Sequence, residues 1–195
     1  MGLSALQHDE RFTYGDYLSW DDDERWELID GIPYGMLPGP SVAHQRILGA
    51  LHFHLYSFLR TRSCQLFVAP FDVRLTEADE ADDLVDTVVQ PDLLVVCNGE
   101  KLDKAGCRGA PDLIIEILSP GTVQRDLKIK FDRYERAGVR EYWIVDPLAK
   151  TVMLFSLGKD GRYGRPLVAL DTDLLHCGIF PELKIDLAEV FAEPE

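Results

Sequence analysis

Two apolar stretches constrain this chain more than anything else in it, because each carries a carboxylate among residues that belong in a core. They are Val88-Val89-Gln90-Pro91-Asp92-Leu93-Leu94-Val95-Val96-Cys97 and Pro111-Asp112-Leu113-Ile114-Ile115-Glu116-Ile117-Leu118-Ser119. Both are short, rich in β-branched residues and bounded by Gly, Asn, Ser or Pro, the pattern of a largely buried strand. A carboxylate in such a strand is costly to bury unless something cationic satisfies it. Asp92 and Glu116 therefore demand an explanation.

Joined by the polar segment Asn98 to Ala110, the two strands are expected to pair as an antiparallel hairpin centred near Lys104, which sets Asp92 directly across from Glu116. Opposed side chains have Cβ atoms about 5 Å apart, near enough for two carboxylates to share one divalent cation. Asp112 is the rival acid. It lies on the same face as Glu116 but roughly 13 Å away along the strand, too far to share that ion directly.

Period two from Glu116 brings Leu118, not a cation, onto the carboxylate face, so positive charge must come from another element. The segment Asp126 to Ala137, stopped by Gly138, reads as a helix with the apolar stripe Leu127, Phe131 and Tyr134. At about 100° per residue Lys130 flanks that stripe within about 60° of its centre, and Lys128 lies nearly at right angles to it. Lys130 is the expected partner of the acids, and Lys128 is the second candidate.

Pro91-Asp92 and then Glu116, with Leu118 two residues on, is similar to the PD-(D/E)xK nuclease motif with the lysine absent from its usual strand position. The wider run Pro111 to Pro120, then Asp126, Lys130 and Tyr134, then Gly138-Val139-Arg140-Glu141-Tyr142-Trp143-Ile144-Val145-Asp146-Pro147, resembles the Uma family, a group described as putative restriction endonucleases. In that family the lysine sits on the following helix. Trp26-Glu27-Leu28-Ile29-Asp30-Gly31 and the stretch Ser41 to His44 also fit, so the resemblance covers most of the chain. Where relatives often continue Asp-Gly-Glu, this chain has Asp30-Gly31-Ile32.

The resemblance implies a Mg²⁺-dependent phosphodiesterase acting on DNA, with Mn²⁺ able to substitute. Asp92, Glu116 and the carbonyl of Ile117 would hold the metal, and Lys130 would stabilise charge developing on the phosphorus. Glu27 reads either as a packed strand-edge acid or as an accessory acid of the metal site. His44 reads either as a surface or packing histidine or, by the resemblance, as a phosphate contact near the site. A homodimer is expected by analogy, since two active sites suit two strands. Two alternatives stand beside this reading: a nuclease for RNA or branched DNA, and a catalytically idle binding or assembly module in which Glu116 and Lys130 form only a buried salt bridge.

At 195 residues, 46% hydrophobic and 28% charged, the composition is that of one ordinary globular domain spanning 1–195, fraying up to about Arg11. No apolar run approaches the roughly 20 residues of a membrane span and the N-terminal residues show no basic region followed by a hydrophobic one, so a cytoplasmic location is expected. Cys64, Cys97, Cys107 and Cys177 show no CxxC spacing and read as reduced, structural thiols. The net charge of −14 argues against a general nucleic-acid binder. The charge is uneven, however: Asp21 to Glu24 and Glu77 to Asp86 read as solvated acidic segments. Arg125, Lys128, Lys130, Arg133, Arg136 and Arg140 gather on one helix as a candidate local basic surface.

Elsewhere the sequence reads as a short helix from Tyr14 to about Trp20 capped by Thr13, strands at Trp26 to Ile32 and Tyr34 to Leu37, and a long helix from Ser41 to about Arg60. Strands follow at Cys64 to Ala69, Phe71 to Leu75 and Glu141 to Val145, then a hairpin across Gly158-Lys159-Asp160-Gly161 and a closing strand and helix within Glu182 to Phe191. The fold class is α/β (α+β): a restriction-endonuclease-like mixed β-sheet flanked by helices, with added β-hairpins. The strand order comes from the resemblance.

Overall fold

The structure, a computed structural model, describes residues 10–20, 25–36, 39–77 and 80–193; the acidic run Asp21 to Glu24 lies outside the described residues. Helix α1 (Tyr14–Tyr17) opens with a reciprocal cap between Thr13 and Asp16 and is shorter than its expected span. Strands β1 (Trp26–Ile29) and β2 (Ile32–Gly35) form a hairpin that turns at Asp30 and Gly31, with φ of 50° and 74°. Helix α2 (Val42–Leu59) starts where the Ser41 side chain accepts the His44 amide, and it buries Ile47, Leu51, Leu55 and Leu59 as the apolar spacing requires.

There follow β3 (Gln65–Val68), β4 (Val73–Arg74), β5 (Val88–Val89), β6 (Leu93–Val96), β7 (Leu102–Asp103), β8 (Gly106–Arg108) and β9 (Leu113–Ile117). A π-helical stretch, Arg125–Lys130, leads into α3 (Phe131–Ala137), which Gly138 closes at φ 85°. The chain continues through β10 (Glu141–Asp146), β11 (Thr151–Ser156), β12 (Leu167–Leu170), β13 (Leu174–His176), β14 (Lys184–Asp186) and α4 (Leu187–Val190).

Two mixed sheets result, in the orders β2-β1-β5-β4-β8-β7 and β12-β11-β10-β9-β6-β3, with β13 and β14 as a separate pair. The central strands β6, β9 and β10 of the second sheet are buried on both faces. Leu93, Val95, Leu113, Ile115 and Trp143 face α2 and α4 in one core, whereas Leu94, Val96, Ile114, Tyr142 and Ile144 meet Val73, Leu75 and Val89 of the first sheet in another. Burial on both faces is why the central runs are continuously apolar rather than alternating.

The expected hairpin register holds: β6 and β9 are antiparallel with Leu93 opposite Ile115, which sets Asp92 across from Glu116. Two parts of that expectation are corrected. Val88 to Cys97 is not one strand, because β5 belongs to the first sheet and β6 to the second, and the chain crosses between them at Gln90-Pro91-Asp92. Residues 98–110 are not a plain loop either, since β7 and β8 fold back onto the first sheet. Phe71 to Leu75 likewise joins the first sheet, not the one holding β3. The two crossings run side by side, the Ala69 amide donating to the Asp92 carbonyl at 3.2 Å.

The helix after β9 also departs from its expected wheel. A π-turn adds a residue per turn, which re-phases the faces: Leu127 is 41% exposed, and Asp126 and Lys130 point inward instead. Cys64 and Cys97, expected as reduced thiols, are joined by a disulfide. The β3/β6 register pairs Gln65 with Val96 and so brings the two cysteines opposite each other one step further on, a juxtaposition that spacing in the sequence does not disclose. Cys107 and Cys177 are buried free thiols. Among the described residues no helix is long and apolar enough to cross a membrane.

Candidate functional site

The crossing at Gln90-Pro91-Asp92, the end of β9, the start of α2, strand β1 and the π-helical stretch converge on one cluster. Asp92 leaves β5 for β6 with its carboxylate turned to β9, where Oδ2 accepts the Ile117 amide at 2.8 Å. His44, in the first turn of α2, lies with Nε2 3.1 Å from the same oxygen and is buried among neighbours that leave its Nδ1 without a hydrogen-bond partner. Asp92 is thus held by two elements through one oxygen.

Glu116 is fully enclosed. Its Oε1 accepts from Lys130 Nζ and from the Tyr134 hydroxyl, each at 2.8 Å, while Oε2 has only the Asp92 amide at 3.5 Å. Lys130 is 4% exposed. Its ammonium bridges Glu116 Oε1 and Glu27 Oε1, both at 2.8 Å, with Asp126 Oδ1, four residues earlier on the same π-helical stretch, at 3.7 Å. Glu27, on β1, also accepts the Gln90 amide at 3.0 Å and Arg125 Nη1 at 3.3 Å. Glu27 is thus both a packed acid of β1 and a member of this ion-pair cluster.

Electrostatics follow from this crowding. Burial pushes the Glu116 carboxyl up to about 8; Lys130 opposes the shift, and the acids Asp126, Asp92 and Glu27 reinforce it. Asp126 is raised by burial as well, again against the pull of Lys130. Burial by itself would lower the pKa of Lys130, but Glu116, Glu27 and Asp126 outweigh it and hold the ammonium charged. Three carboxyl groups, Glu27, Glu116 and Asp126, thus crowd around Lys130 and Arg125, and burial keeps the Glu116 carboxyl protonated through neutral pH.

Of the candidates read from the sequence, Asp92, Glu116, Lys130, Glu27, His44 and Ile117 come together. Lys128 does not. It is exposed and lines a separate cleft with Asp30, Asp132 and Arg136, because two residues from the buried Lys130 it stands on the opposite side of the helix. Asp112 stays apart too, accepting the Cys97 amide at 2.8 Å and pairing with Arg140 at 3.0 Å. Asp126 and Tyr134 belong to the cluster although neither stood among the candidates. The i, i+4 spacing of Asp126 and Lys130 was the available signal.

The arginines of the candidate basic surface are paired with acids of the same chain, while Lys128, Arg136 and Arg140 stay exposed. Arg133 is buried and bonds Thr87, Glu77 and the Leu75 carbonyl, Arg136 pairs with Asp30, and Arg125 with Glu27. Several acids between Glu77 and Asp86, read as solvated, are the arginines' partners: Asp82 takes Arg74, while Glu77 and Asp86 face Arg133.

A mixed sheet whose central hairpin presents an Asp across from a Glu, with a lysine brought in from the next helix, defines a restriction-endonuclease-like α+β protein. The family model described as "Putative restriction endonuclease", Uma2, matches residues 14–188. The chain belongs to the Uma2 family. A solved structure described as a putative nuclease of the DUF820 group, from Anabaena variabilis, superposes with a TM-score of 0.72 at 21% identity, covering 92% of this chain and 97% of that one. No curated protein matches.

Proposed function

We propose that the chain is a Mg²⁺-dependent endonuclease that hydrolyses phosphodiesters of DNA at the Asp92–Glu116 cluster. The observation carrying this reading is the crowding of carboxyl groups: Glu27, Glu116 and Asp126 share Lys130 and Arg125 while Asp92 stands across from Glu116, so a divalent cation that displaced the proton burial holds on Glu116 would offset the uncompensated negative charge. Family membership gives the reaction class its support.

The donor set fits a hard cation. Glu116 Oε2 and the second oxygen of Asp92 are the carboxylate atoms left lightly engaged. The Ile117 amide points to Asp92, and in a strand the carbonyl of a residue projects to the same side as its amide. Among the described residues no group of three or more His, Cys, Asp or Glu side chains forms a metal cage. Two carboxylates, a carbonyl and water nevertheless suit Mg²⁺, which keeps several waters and takes few protein ligands. When bound, such an ion polarises a phosphoryl oxygen and acidifies a water.

The chain's own residues then have distinct tasks. His44 and the Ile117 amide fix one oxygen of Asp92, leaving the other free to ligate. Tyr134 and Lys130 fix one oxygen of Glu116 in the same way. The ammonium of Lys130, held charged between Glu27 and Glu116, supplies the positive charge that a pentavalent phosphorane requires. Lys130 takes the place of the strand lysine that Leu118 displaces.

A second reading, a catalytically idle module, has one observation in its favour: Lys130 already satisfies Glu27 and Glu116 at 2.8 Å each. The test is cleavage of supercoiled plasmid and of single-stranded DNA with Mg²⁺ or Mn²⁺ by wild type, Asp92→Asn and Glu116→Gln purified identically. Metal-dependent nicking in wild type and its loss in both variants is expected. Equal nicking by all three would overturn the assignment.

A further inference from the structure

Beside the carboxylate cluster lies a cleft of about 240 Å³ lined by Tyr34, Gly35, Gly121, Gln124, Arg125 and Ile129. Its position is fixed by two contacts. Tyr34 is the direct cross-strand partner of Glu27 in the β1/β2 hairpin, so both side chains stand on one face of that ribbon. Arg125 in the opposite wall bonds Glu27 Oε2 at 3.3 Å. The cleft therefore begins at the rim of the acids that the proposed reaction uses.

Its chemistry differs from that of the surrounding surface. In a protein of net charge −14, none of the six lining residues is an acid. The Arg125 guanidinium stands over the Tyr34 ring at 5.5 Å from its centroid, too close for a base to enter between them, so the pair acts as one aromatic and guanidinium unit against whose outer side a base can stack. Gln124 offers a carboxamide that both donates and accepts, Ile129 adds an apolar side chain, and two glycines contribute backbone alone. The volume is below the roughly 300–1,000 Å³ of a drug-sized site, which suits a single planar ring system and not a base pair.

We propose that this cleft is a nucleobase subsite: it takes one unstacked base of the strand whose phosphate lies at the cluster, so the substrate is single-stranded or locally opened nucleic acid. The inference rests on the nuclease reading for the strand's position, but the binding chemistry is independent of cleavage. The internal pairing of the arginines points the same way. A protein with little free basic surface gains little from duplex phosphates, and base stacking supplies affinity that does not depend on them. Tyr34 and Gln124 are the specificity-determining residues, Tyr34 through its ring and Gln124 through the base edge.

The test is fluorescence anisotropy with a labelled single-stranded octanucleotide, the same sequence as a duplex, and an eight-unit base-free tetrahydrofuran chain of equal charge, in Mg²⁺ on the Glu116→Gln background. The single strand should bind about tenfold tighter than the base-free chain, a preference lost in Tyr34→Ala, kept in Tyr34→Phe and reduced in Gln124→Ala. Gln124 is exposed, so its variant separates recognition from folding. Equal binding of the base-bearing and base-free chains, tighter binding of the duplex, no binding, or insensitivity to both alanine variants would each overturn the subsite. Plasmid and single-strand cleavage by wild type is scored separately. Base-dependent binding without cleavage would sink the activity and leave the subsite standing, and cleavage with base-independent binding would do the reverse.

Discussion

Lys130 stands 2.8 Å from both Glu27 and Glu116, so removing its charge strands two buried carboxylates, with a third, Asp126, close by. Breaking a buried ion pair from one side costs about 3–5 kcal/mol. Lys130→Ala should lose that much in urea denaturation at pH 8, and less at pH 6, where Glu116 can take up a proton instead. The sign follows from its raised pKa. A carboxyl lifted from 4.5 to about 8 contributes stability that is complete below its unfolded value and is lost as pH rises through the folded one. A Lys130→Ala deficit that stayed constant over this range would contradict the coupling. At this scale the sequence was informative because the hairpin register follows from the symmetry of two apolar runs about Lys104. His44 was ambiguous, since its 3.1 Å approach to Asp92 depends on how α2 docks, which no local spacing encodes.

The π-helical stretch between β9 and α3 decides that Asp126, and not Leu127, shares the buried face with Lys130. An α-helical wheel turns Leu127 toward the core with Phe131 and Tyr134; the wider turn carries Leu127 outward and sets Asp126 and Lys130 on the buried face. Leu127→Ala should therefore cost less than about 0.5 kcal/mol in urea denaturation, as a surface change does, and not the 2–5 kcal/mol of a core leucine. A core-sized loss would show that the stretch is α-helical in solution. Hydrophobic periodicity could not reveal the π-turn, because one extra residue leaves the composition of the segment unchanged. It could not reveal the strand switch at Gln90-Pro91-Asp92 either. A run buried on both faces looks the same whether it serves one sheet or two, and only Pro91 hinted at the break.

Over the whole molecule, most arginines near the cluster answer acids of the same chain: Arg133 with Glu77, Arg136 with Asp30, Arg140 with Asp112, Arg74 with Asp82 and Asp103. Glu77, Asp82 and Asp86 thus tie the first sheet and α3 together while keeping one side to solvent. A charge of −14 with few unpaired cations leaves a small electrostatic footprint for nucleic acid. Binding of a short duplex should fall with salt at a log–log slope shallower than about −3, as measured by anisotropy from 50 to 200 mM salt. A slope near −6 would reveal a basic surface absent from this arrangement. The division into two sheets and their strand order were not legible in the sequence, where one mixed sheet with added hairpins was expected, since pairings such as β4 with β8 join residues that no periodicity links.

The account turns on whether the Asp92–Glu116 cluster holds a divalent cation, and calorimetric titration with Mn²⁺ tests that most directly. Wild type should bind at this site about tenfold more tightly for each pH unit gained up to about pH 8, because the cation displaces the proton that burial holds on Glu116, and Asp92→Asn should lose the site while keeping its fold. Binding absent from wild type, or unchanged in the variant, would mean that Lys130 alone satisfies these acids and that the cluster is a structural ion pair.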